Sequence, residues 1–217
     1  MKVRRGGGDA ASAAPPVARR GELRQTLLLP LVFEGLDESR PVSVLDVGAG
    51  AAETLSFFSE HRCRLQFADL FEAPGLNLLP EDDPEGYFDA LFAAHCAFPE
   101  DTRFDICLFW DFLNYLSVPA LRSFSRTLAP YLHRDTVGHG FGAFKATAPA
   151  ASWATPSLGM TYAIHDRDSL LVRPRPGGSV GAHPHSRTVL ADAFDCFEIV
   201  RGTLLQEGAM ELLLKAR

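Results

Sequence analysis

The sequence predicts an α/β fold: a Rossmann-like, doubly wound and mostly parallel sheet with helices on both faces. Three apolar runs carry the prediction. The first, 42–47, ends in a glycine turn, and a second short run, 64–69, follows after about one helix length. The third, 104–110, is a buried run that again leads into a helical pattern. Strands that alternate with helices form parallel βαβ units, whose crossovers are nearly always right-handed.

The composition is that of one globular domain. Of 217 residues, 47% are hydrophobic and 22% charged, which is enough to bury a full core. The net charge of −6 is opposite to that of proteins that bind phosphate backbones, so we expect no nucleic-acid partner. The four cysteines form no CxxC pair, which favours a reducing, cytoplasmic location. No apolar run suits a membrane helix, so no membrane partner is expected, and the sequence does not indicate an oligomeric state.

Two segments differ from the rest of the chain. Residues 1–20 are rich in Gly, Ala and Pro and carry almost no large apolar side chain, so we expect a flexible tail before a domain over 21–217. Within the domain, 147–185 has the character of an insertion. Apolar and polar residues alternate over 160–165 before a polar turn, which predicts a β-hairpin that could close over a site as a lid.

The other elements follow from periodicity and capping residues. Leu23, Leu27 and Leu31 recur every four residues and predict a helix over 21–36, which Pro30 kinks or ends. The remaining predictions are helices over 87–94, from Ser117 to 132 and from Ser186 to 194, and strands over 137–144, 197–205 and 210–214, the last two paired antiparallel.

The turn after the first strand carries the clearest functional signal. Glycines in Asp46-Val47-Gly48-Ala49-Gly50 let a ligand approach the backbone, and the N–H groups of the following helix face that ligand. Asp69 follows Gly50 by nineteen residues, at the tip of the second strand. That spacing suits a carboxylate that accepts hydrogen bonds from a ribose diol. The pattern therefore predicts a nucleotide-type cofactor site.

Glu53 discriminates between cofactors. A dinucleotide site would favour a third glycine at this position, and a carboxylate there would repel a pyrophosphate at the helix terminus. S-adenosylmethionine has no phosphate, and its two cationic groups outweigh its carboxylate. Charge therefore favours S-adenosylmethionine and disfavours an NAD-type oxidoreductase.

The run Val44-Leu45-Asp46-Val47-Gly48-Ala49-Gly50 resembles the first motif of the class I S-adenosylmethionine-dependent methyltransferases. Asp69, the run Phe104-Asp105-Ile106 and the C-terminal strand pair follow in the order of that family, so the resemblance covers residues 22–217. It implies a seven-stranded sheet of order 3-2-1-4-5-7-6 whose last strand is antiparallel, and S-adenosyl-L-methionine as the cofactor.

The resemblance also implies the cofactor-binding residues. They are Gly48 and Gly50 against the methionine moiety, Asp46 at its amino end, Asp69 at the ribose, Leu70 against the adenine, and Trp110 at the end of the fourth strand. The chain departs from the family pattern in having Ala52 as the third small residue and no acid before the fourth strand. His95 or backbone groups near 96–97 could replace that acid.

Methyl transfer from a sulfonium is an in-line displacement, so the protein chiefly aligns the reactants. A general base is needed only where the acceptor must lose a proton early. Asp111 is the first catalytic candidate because it leaves the buried strand beside the expected sulfonium, and a helix-capping aspartate is the alternative. His139 is the second candidate, against the alternative of a solvated loop histidine.

Substrate-binding candidates come from the same region and from the predicted hairpin: Asn114, Tyr115, Tyr162 and His165. Each has a structural alternative, a hydrogen bond to a neighbouring loop. His183 and His185 lack further ligands at metal spacing, so no metal is expected. The sequence thus predicts an S-adenosylmethionine-dependent methyltransferase that acts on a small molecule. The alternative is a non-catalytic methyltransferase-like binding or assembly module.

Overall fold

The structure is a computed structural model, and it describes residues 21–34, 40–143, 159–175, 181–205 and 209–217. The strands are β1 (Glu22–Gln25), β2 (Val42–Asp46), β3 (Cys63–Phe67), β4 (Phe104–Trp110), β5 (Leu132–Ala143), β6 (Met160–Asp166), β7 (Ser169–Pro174), β8 (Phe197–Leu204) and β9 (Ala209–Ala216). The helices are α1 (Leu29–Val32), α2 (Ala52–Ser59), α3 (Pro84–His95), α4 (Val118–Leu128) and α5 (Arg187–Ala193).

A six-stranded sheet of order β3-β2-β4-β5-β9-β8 forms the centre of the fold. β2 pairs parallel with β3 and β4, and β4 pairs parallel with β5. β9 runs antiparallel to both of its neighbours, β5 and β8. The predicted α/β class with a mostly parallel sheet and a reversed last strand is therefore confirmed.

The sheet has six strands where the resemblance implied seven. The outermost strand of the expected order is absent, because residues 68–103, all of them described, contain a 3₁₀ turn, a loop and α3 but no strand. The four prolines of this stretch, Pro74, Pro80, Pro84 and Pro99, each lack the N–H group that a sheet ladder needs.

One face of the central sheet is covered by α3, α4 and α5. Ser117 caps α4 by accepting a hydrogen bond from the Ala120 amide, and Phe124 of that helix is fully buried against the sheet. Phe109 of β4 meets Phe124 and Phe194 edge to face, which gives the core a network of aromatic contacts.

The other face is covered by α1, α2 and a second sheet of order β1-β7-β6. β6 and β7 form an antiparallel hairpin, with Ile164 opposite Leu170. The hairpin is attached to α2 by a hydrogen bond from the Ile164 amide to the buried Thr54 hydroxyl. Because α2 begins directly after the glycine turn, this contact holds the second sheet beside the carboxyl edge of the first.

The helix predicted over 21–36 is wrong in its first half. Residues 22–25 are a strand that pairs with β7, and only Leu29–Val32 is helical. Leu23 and Leu27, expected on a core face, are 53% and 60% exposed. A strand forms because the hairpin edge offers hydrogen-bond partners that no local periodicity reveals; residues 35 and 36 lie outside the described part.

The predicted tail over 1–20 lies outside the described residues, as do 147–158 and 176–180 of the predicted insertion. Among the helices that the structure describes, none combines the length and apolar character needed to cross a membrane. All four cysteines are described, and all are free thiols.

Candidate functional site

The predicted site residues lie at one edge of the central sheet. β2, β3 and β4 are parallel, so their carboxyl ends share an edge, and Asp46, Asp69 and Asp111 stand at or just beyond those ends. Ligands of open α/β sheets bind outside this edge. Three carboxylates from three strands thus surround the place where a ligand would lie.

Asp46 is the innermost of the three. Its Oδ1 accepts hydrogen bonds from the Gly48 amide at 2.8 Å and from the Trp110 indole N–H at 2.6 Å. Its Oδ2 is buried and has no hydrogen-bond partner among the described residues. Burial raises the pKa of this carboxyl to about 7, although both hydrogen bonds favour the charged form. A cationic group near Oδ2 would stabilise the carboxylate.

Trp110 joins the glycine turn to the second sheet. Its backbone has a φ of 52°, which is unusual for a bulky residue and turns the chain as β4 ends. A Cβ atom added at Gly48 would lie 3.1–3.2 Å from the Trp110 indole, which is a tight contact. The indole ring therefore occupies space that a side chain at position 48 would need. The indole also stacks on Tyr162 of β6, with an interplanar angle of 7° and centroids 5.5 Å apart.

Asp111 is fully buried between two tyrosines. Its Oδ2 accepts a hydrogen bond from the Tyr115 hydroxyl at 3.0 Å, while no group in the described part of the chain bonds to Oδ1. The Tyr162 hydroxyl lies close enough for each group to shift the other's pKa, but it forms no hydrogen bond of ordinary geometry. Burial raises the pKa of Asp111 to about 7, so the group can exchange a proton near neutral pH.

Sequence reasoning missed Arg175, which follows β7. Its side chain is 6% exposed, and its Nη1 donates to Asp69 and to Glu72, each at 3.0 Å. The guanidinium lies 4.5 Å from the centre of the Phe71 ring. The predicted ribose-binding carboxylate therefore has a cationic partner. No local pattern in the sequence indicated this pair, because Arg175 and Asp69 are 106 residues apart.

Several polar atoms near this edge have no hydrogen-bond partner among the described residues. Buried polar atoms of a folded protein normally have partners, so these atoms suit contacts to a polar ligand. Trp110 links two members of the group, because its indole donates to Asp46 and stacks on Tyr162. The atoms are Asp46 Oδ2, Asp111 Oδ1, the Tyr162 hydroxyl, and Arg175 Nε and Nη2. Acceptors and donors of this kind fit S-adenosylmethionine, which carries an ammonium, a carboxylate and a ribose.

Glu53 has a partner that the sequence did not reveal. Arg173 of β7 forms an ion pair with this carboxylate and lowers its pKa. The charge at the start of α2 is therefore largely balanced, and Glu53 discriminates less sharply against a diphosphate than its sequence position suggested. The carboxylates of Asp46 and Asp111, and no longer that of Glu53, are therefore the main groups that favour a cationic cofactor.

His139 lies away from solvent in β5. Its side chain is fully buried, and its Nε2 lies 2.8 Å from Glu211 of β9. Glu211 also accepts hydrogen bonds from the amides of Leu27, Leu28 and Leu29. Burial opposes ionisation of Glu211, but these hydrogen bonds outweigh it and lower its pKa. The His139–Glu211 pair thus attaches the chain before α1 to the central sheet, and this contact has a structural role.

The other predicted residues are more dispersed. Asn114 donates to the carbonyl groups of Asp111 and Phe141, and Leu70 is fully buried in the core. His95 contacts the Leu91 carbonyl at the end of α3, and His165 lies exposed near the hairpin turn.

Gly50 would tolerate a Cβ atom at 3.5 Å from the Phe67 ring. No metal-binding cluster occurs within the described ranges.

A cavity of about 470 Å³ lies between the two sheets. Its lining comes from β1, from Phe141 at the end of β5, from the hairpin and from the chain where β8 leads to β9. Tyr162 belongs to this lining and also stacks on Trp110. The cavity and the predicted cofactor site therefore share one aromatic wall.

Comparison with known proteins finds similarity at the level of structure. No protein-family model matches the chain, and no curated protein matches its sequence. Among solved structures, the pyocyanin biosynthetic protein PhzM is similar at 14% identity and a TM-score of 0.46. The match covers 88% of this chain and 55% of that one, so the chain spans about half the length of PhzM.

Two further solved structures are similar to a comparable degree. Burkholderia thailandensis 1,6-didemethyltoxoflavin-N1-methyltransferase is 17% identical with a TM-score of 0.45, over 87% of this chain and 76% of that one. An S-adenosylmethionine-dependent methyltransferase from Clostridium acetobutylicum is 10% identical with a TM-score of 0.43, over 80% and 83%. At these identities and TM-scores, the similarity assigns no activity to this chain. A functional proposal therefore depends on the chain's own residues.

Proposed function

We propose that the protein is an S-adenosylmethionine-dependent methyltransferase that acts on a small-molecule acceptor. The observation that carries the proposal is the sheet order, β3-β2-β4-β5-β9-β8 with β9 reversed, which brings Asp46, Asp69 and Asp111 to one edge. This is the order that the sequence resemblance implies, less its outermost strand. The net charge of −6 favours a small acceptor over a nucleic acid.

Three groups would hold the cofactor. Asp46 has a buried, unpaired oxygen for the amino group, and Asp69 is placed for the ribose hydroxyls. The free N–H groups of Arg175 suit an oxygen acceptor of the cofactor. The hairpin that carries Arg175 and Tyr162 then acts as a lid over the edge.

Bound S-adenosylmethionine would supply a methyl group to the acceptor's lone pair, with the electron pair of the C–S bond left on sulfur. Asp111 would take the acceptor's proton where the acceptor carries one. The pKa of about 7 suits this carboxyl to that role, and Tyr115 keeps it oriented.

Calorimetric titration with S-adenosylmethionine tests the proposal. The unaltered chain should bind the cofactor with a micromolar dissociation constant, and Asp69→Ala should weaken binding about tenfold because a charged hydrogen-bond acceptor is lost. Asp101→Ala changes an exposed aspartate outside the edge and serves as the control. Absence of binding at millimolar cofactor would overturn the proposal.

The second candidate is a methyltransferase-like module without catalysis. Two contacts favour it: the Trp110 indole fills the space next to Gly48, and Arg175 already engages Asp69. In that case the polar atoms at the edge would serve only to hold the second sheet. The same titration separates the two candidates, because such a module would not bind the cofactor.

We further infer a cytoplasmic location. The four free cysteines support it, since a reducing compartment keeps thiols unpaired.

A further inference from the structure

We propose that Trp110 is a positioning residue: its indole N–H fixes the Asp46 side chain so that Oδ2 is the oxygen left for the ammonium group of the cofactor. The inference rests on the proposed function, and it names a residue that acts through Asp46 and needs no contact of its own with the cofactor. This role differs from the direct cofactor contact that the family resemblance implies for Trp110.

Two N–H groups hold one oxygen of Asp46. Its Oδ1 accepts from the Gly48 amide at 2.8 Å and from the Trp110 indole at 2.6 Å. The amide lies two residues along the chain, whereas the indole comes from the end of the neighbouring strand β4, 64 residues away. Two donors in different places fix the rotation of the carboxyl group. Oδ2 has no hydrogen-bond partner among the described residues, so it is the oxygen available to a donor of the ligand.

The indole ring is held in place from several sides. Trp110 is 1% exposed, and its ring stacks on Tyr162 with 7° between the two planes. His139 of β5 meets the same ring edge to face, with centroids 6.1 Å apart. The φ of 52° at Trp110 is a strained conformation, which persists only where the surrounding structure enforces it. Because its donor is rigid, the Asp46 carboxyl is already oriented before a ligand binds.

The same hydrogen bond favours the charged form of Asp46. Burial raises the pKa of this carboxyl to about 7, and the bonds from Trp110 and Gly48 oppose that rise, Trp110 more strongly. Two charged side chains also act on it: Asp69 raises its pKa, and Arg175 lowers it. Without the indole N–H, a larger fraction of Asp46 would be protonated at neutral pH. A protonated carboxyl binds an ammonium group more weakly than a carboxylate does.

Tryptophan fluorescence tests the contact in the absence of any cofactor. The sequence contains two tryptophans, Trp110 and Trp153, so Trp153→Phe leaves the indole of interest as the only one. A negative charge beside the indole nitrogen stabilises the excited state. Emission of this chain should therefore move to longer wavelength as the pH rises, with a midpoint near pH 7. Asp46→Asn should abolish this transition, and Asp101→Asn, which changes an exposed aspartate outside the edge, should retain it.

Two other groups near the indole could titrate in the same range. They are His139, whose ring packs against it, and Asp111, whose pKa is also about 7. A transition that persists in Asp46→Asn would belong to one of them and would contradict the inference. The inference is also wrong if the chain that retains Asp46 shows no transition at all.

The pH dependence of cofactor binding tests the effect on function. Trp110→Phe keeps an aromatic ring and removes the N–H donor, so the pKa of Asp46 should rise by about one unit. At pH 7 the variant should bind S-adenosylmethionine about fivefold more weakly than the unaltered chain, because about one-tenth of the carboxyl is ionised instead of one-half. At pH 8.5 the two proteins should differ by less than about twofold. Comparison at the same pH cancels any titration of the cofactor itself.

An equal loss of affinity at both pH values would show that Trp110 has only a structural role, and would overturn the inference. Failure of the proposed function gives a different result, since the unaltered chain then binds no S-adenosylmethionine at either pH. The fluorescence transition still reports in that case whether the indole responds to Asp46, because that measurement requires no cofactor.

Discussion

At the scale of the residue, burial determines the chemistry of the two central carboxyl groups. Asp46 and Asp111 each have a pKa near 7, against an ordinary value of 3.8, because desolvation penalises their charged forms. A raised pKa in the folded state means that each group contributes stability below about pH 4, and that this contribution is lost as the pH rises through 7. A bound cation would offset that loss by stabilising the carboxylates.

Cofactor affinity should therefore rise with pH. A carboxyl of pKa about 7 is about one-tenth ionised at pH 6 and nine-tenths at pH 8, so S-adenosylmethionine should bind up to about tenfold more tightly at pH 8. Calorimetry in buffers of different ionisation enthalpy should show proton release near pH 6.5. Asp46→Asn should lose much of the pH dependence, and a pH-independent affinity in the unaltered chain would contradict this account.

Arg175 should strengthen cofactor binding. Arg175→Ala removes the partner of Asp69 and two buried N–H donors, so the dissociation constant for S-adenosylmethionine should rise about tenfold. Arg167→Ala, on the exposed turn of the same hairpin, should leave it unchanged. Tighter binding by Arg175→Ala would instead show that the guanidinium occupies cofactor space.

The three aspartates of the site could be predicted from the sequence, whereas Arg175 could not. Asp46, Asp69 and Asp111 could be predicted because each ends or closely follows a short strand, and parallel strands bring their carboxyl ends together. Arg175 could not be placed in the same way. It pairs with Asp69 across 106 residues of sequence, and no local pattern indicates that contact.

At the scale of the element, a buried carboxylate compensates for a weak helix. α1 has four residues, too few to be stable alone, and its N-cap residue, Leu28, has no side-chain group that could cap it. Glu211 of β9 accepts from three consecutive amides before and within this helix and pairs with His139. The central sheet thereby supplies the cap that the helix lacks.

Loss of this carboxylate should destabilise the whole fold. Glu211→Gln removes the charge from a buried pair, so the free energy of unfolding should fall by about 3 kcal/mol in urea titrations. Glu198→Gln, on the exposed side of β8, should change it by less than about 0.5 kcal/mol. Equal stability of the two variants would show that the Glu211 contacts contribute little.

The elements that the sequence predicts correctly are those whose own residues determine them. β2 and β4 are short, mostly apolar and largely buried runs, and α4 has a capping serine and a regular apolar face. β1 is the contrary case. Its leucines recur at helical spacing, yet the segment is a strand because β7 offers an edge to pair with. Tertiary pairing overrides periodicity in such short segments.

At the scale of the whole molecule, the second sheet covers the carboxyl edge of the first. The hairpin contacts the main body through the Thr54–Ile164 hydrogen bond, the Arg173–Glu53 pair and the Arg175–Asp69 pair. Each of these contacts joins the hairpin to a residue next to the predicted cofactor site. Occupancy of the site and order in the hairpin should therefore be coupled.

Hydrogen exchange measures this coupling. Saturating S-adenosylmethionine should slow amide exchange in β6 and β7 along with that of the glycine turn, because opening of the hairpin would break contacts to the ligand site. At a cofactor concentration 100 times the dissociation constant, protection should rise by up to about 100-fold. Amides of α5 and β8 lie away from the edge and act as the internal control. Where these amides exchange by local opening, the cofactor should change their exchange rates less. Slower exchange in the glycine turn alone, with β6 and β7 unchanged, would show that the second sheet does not respond to the cofactor.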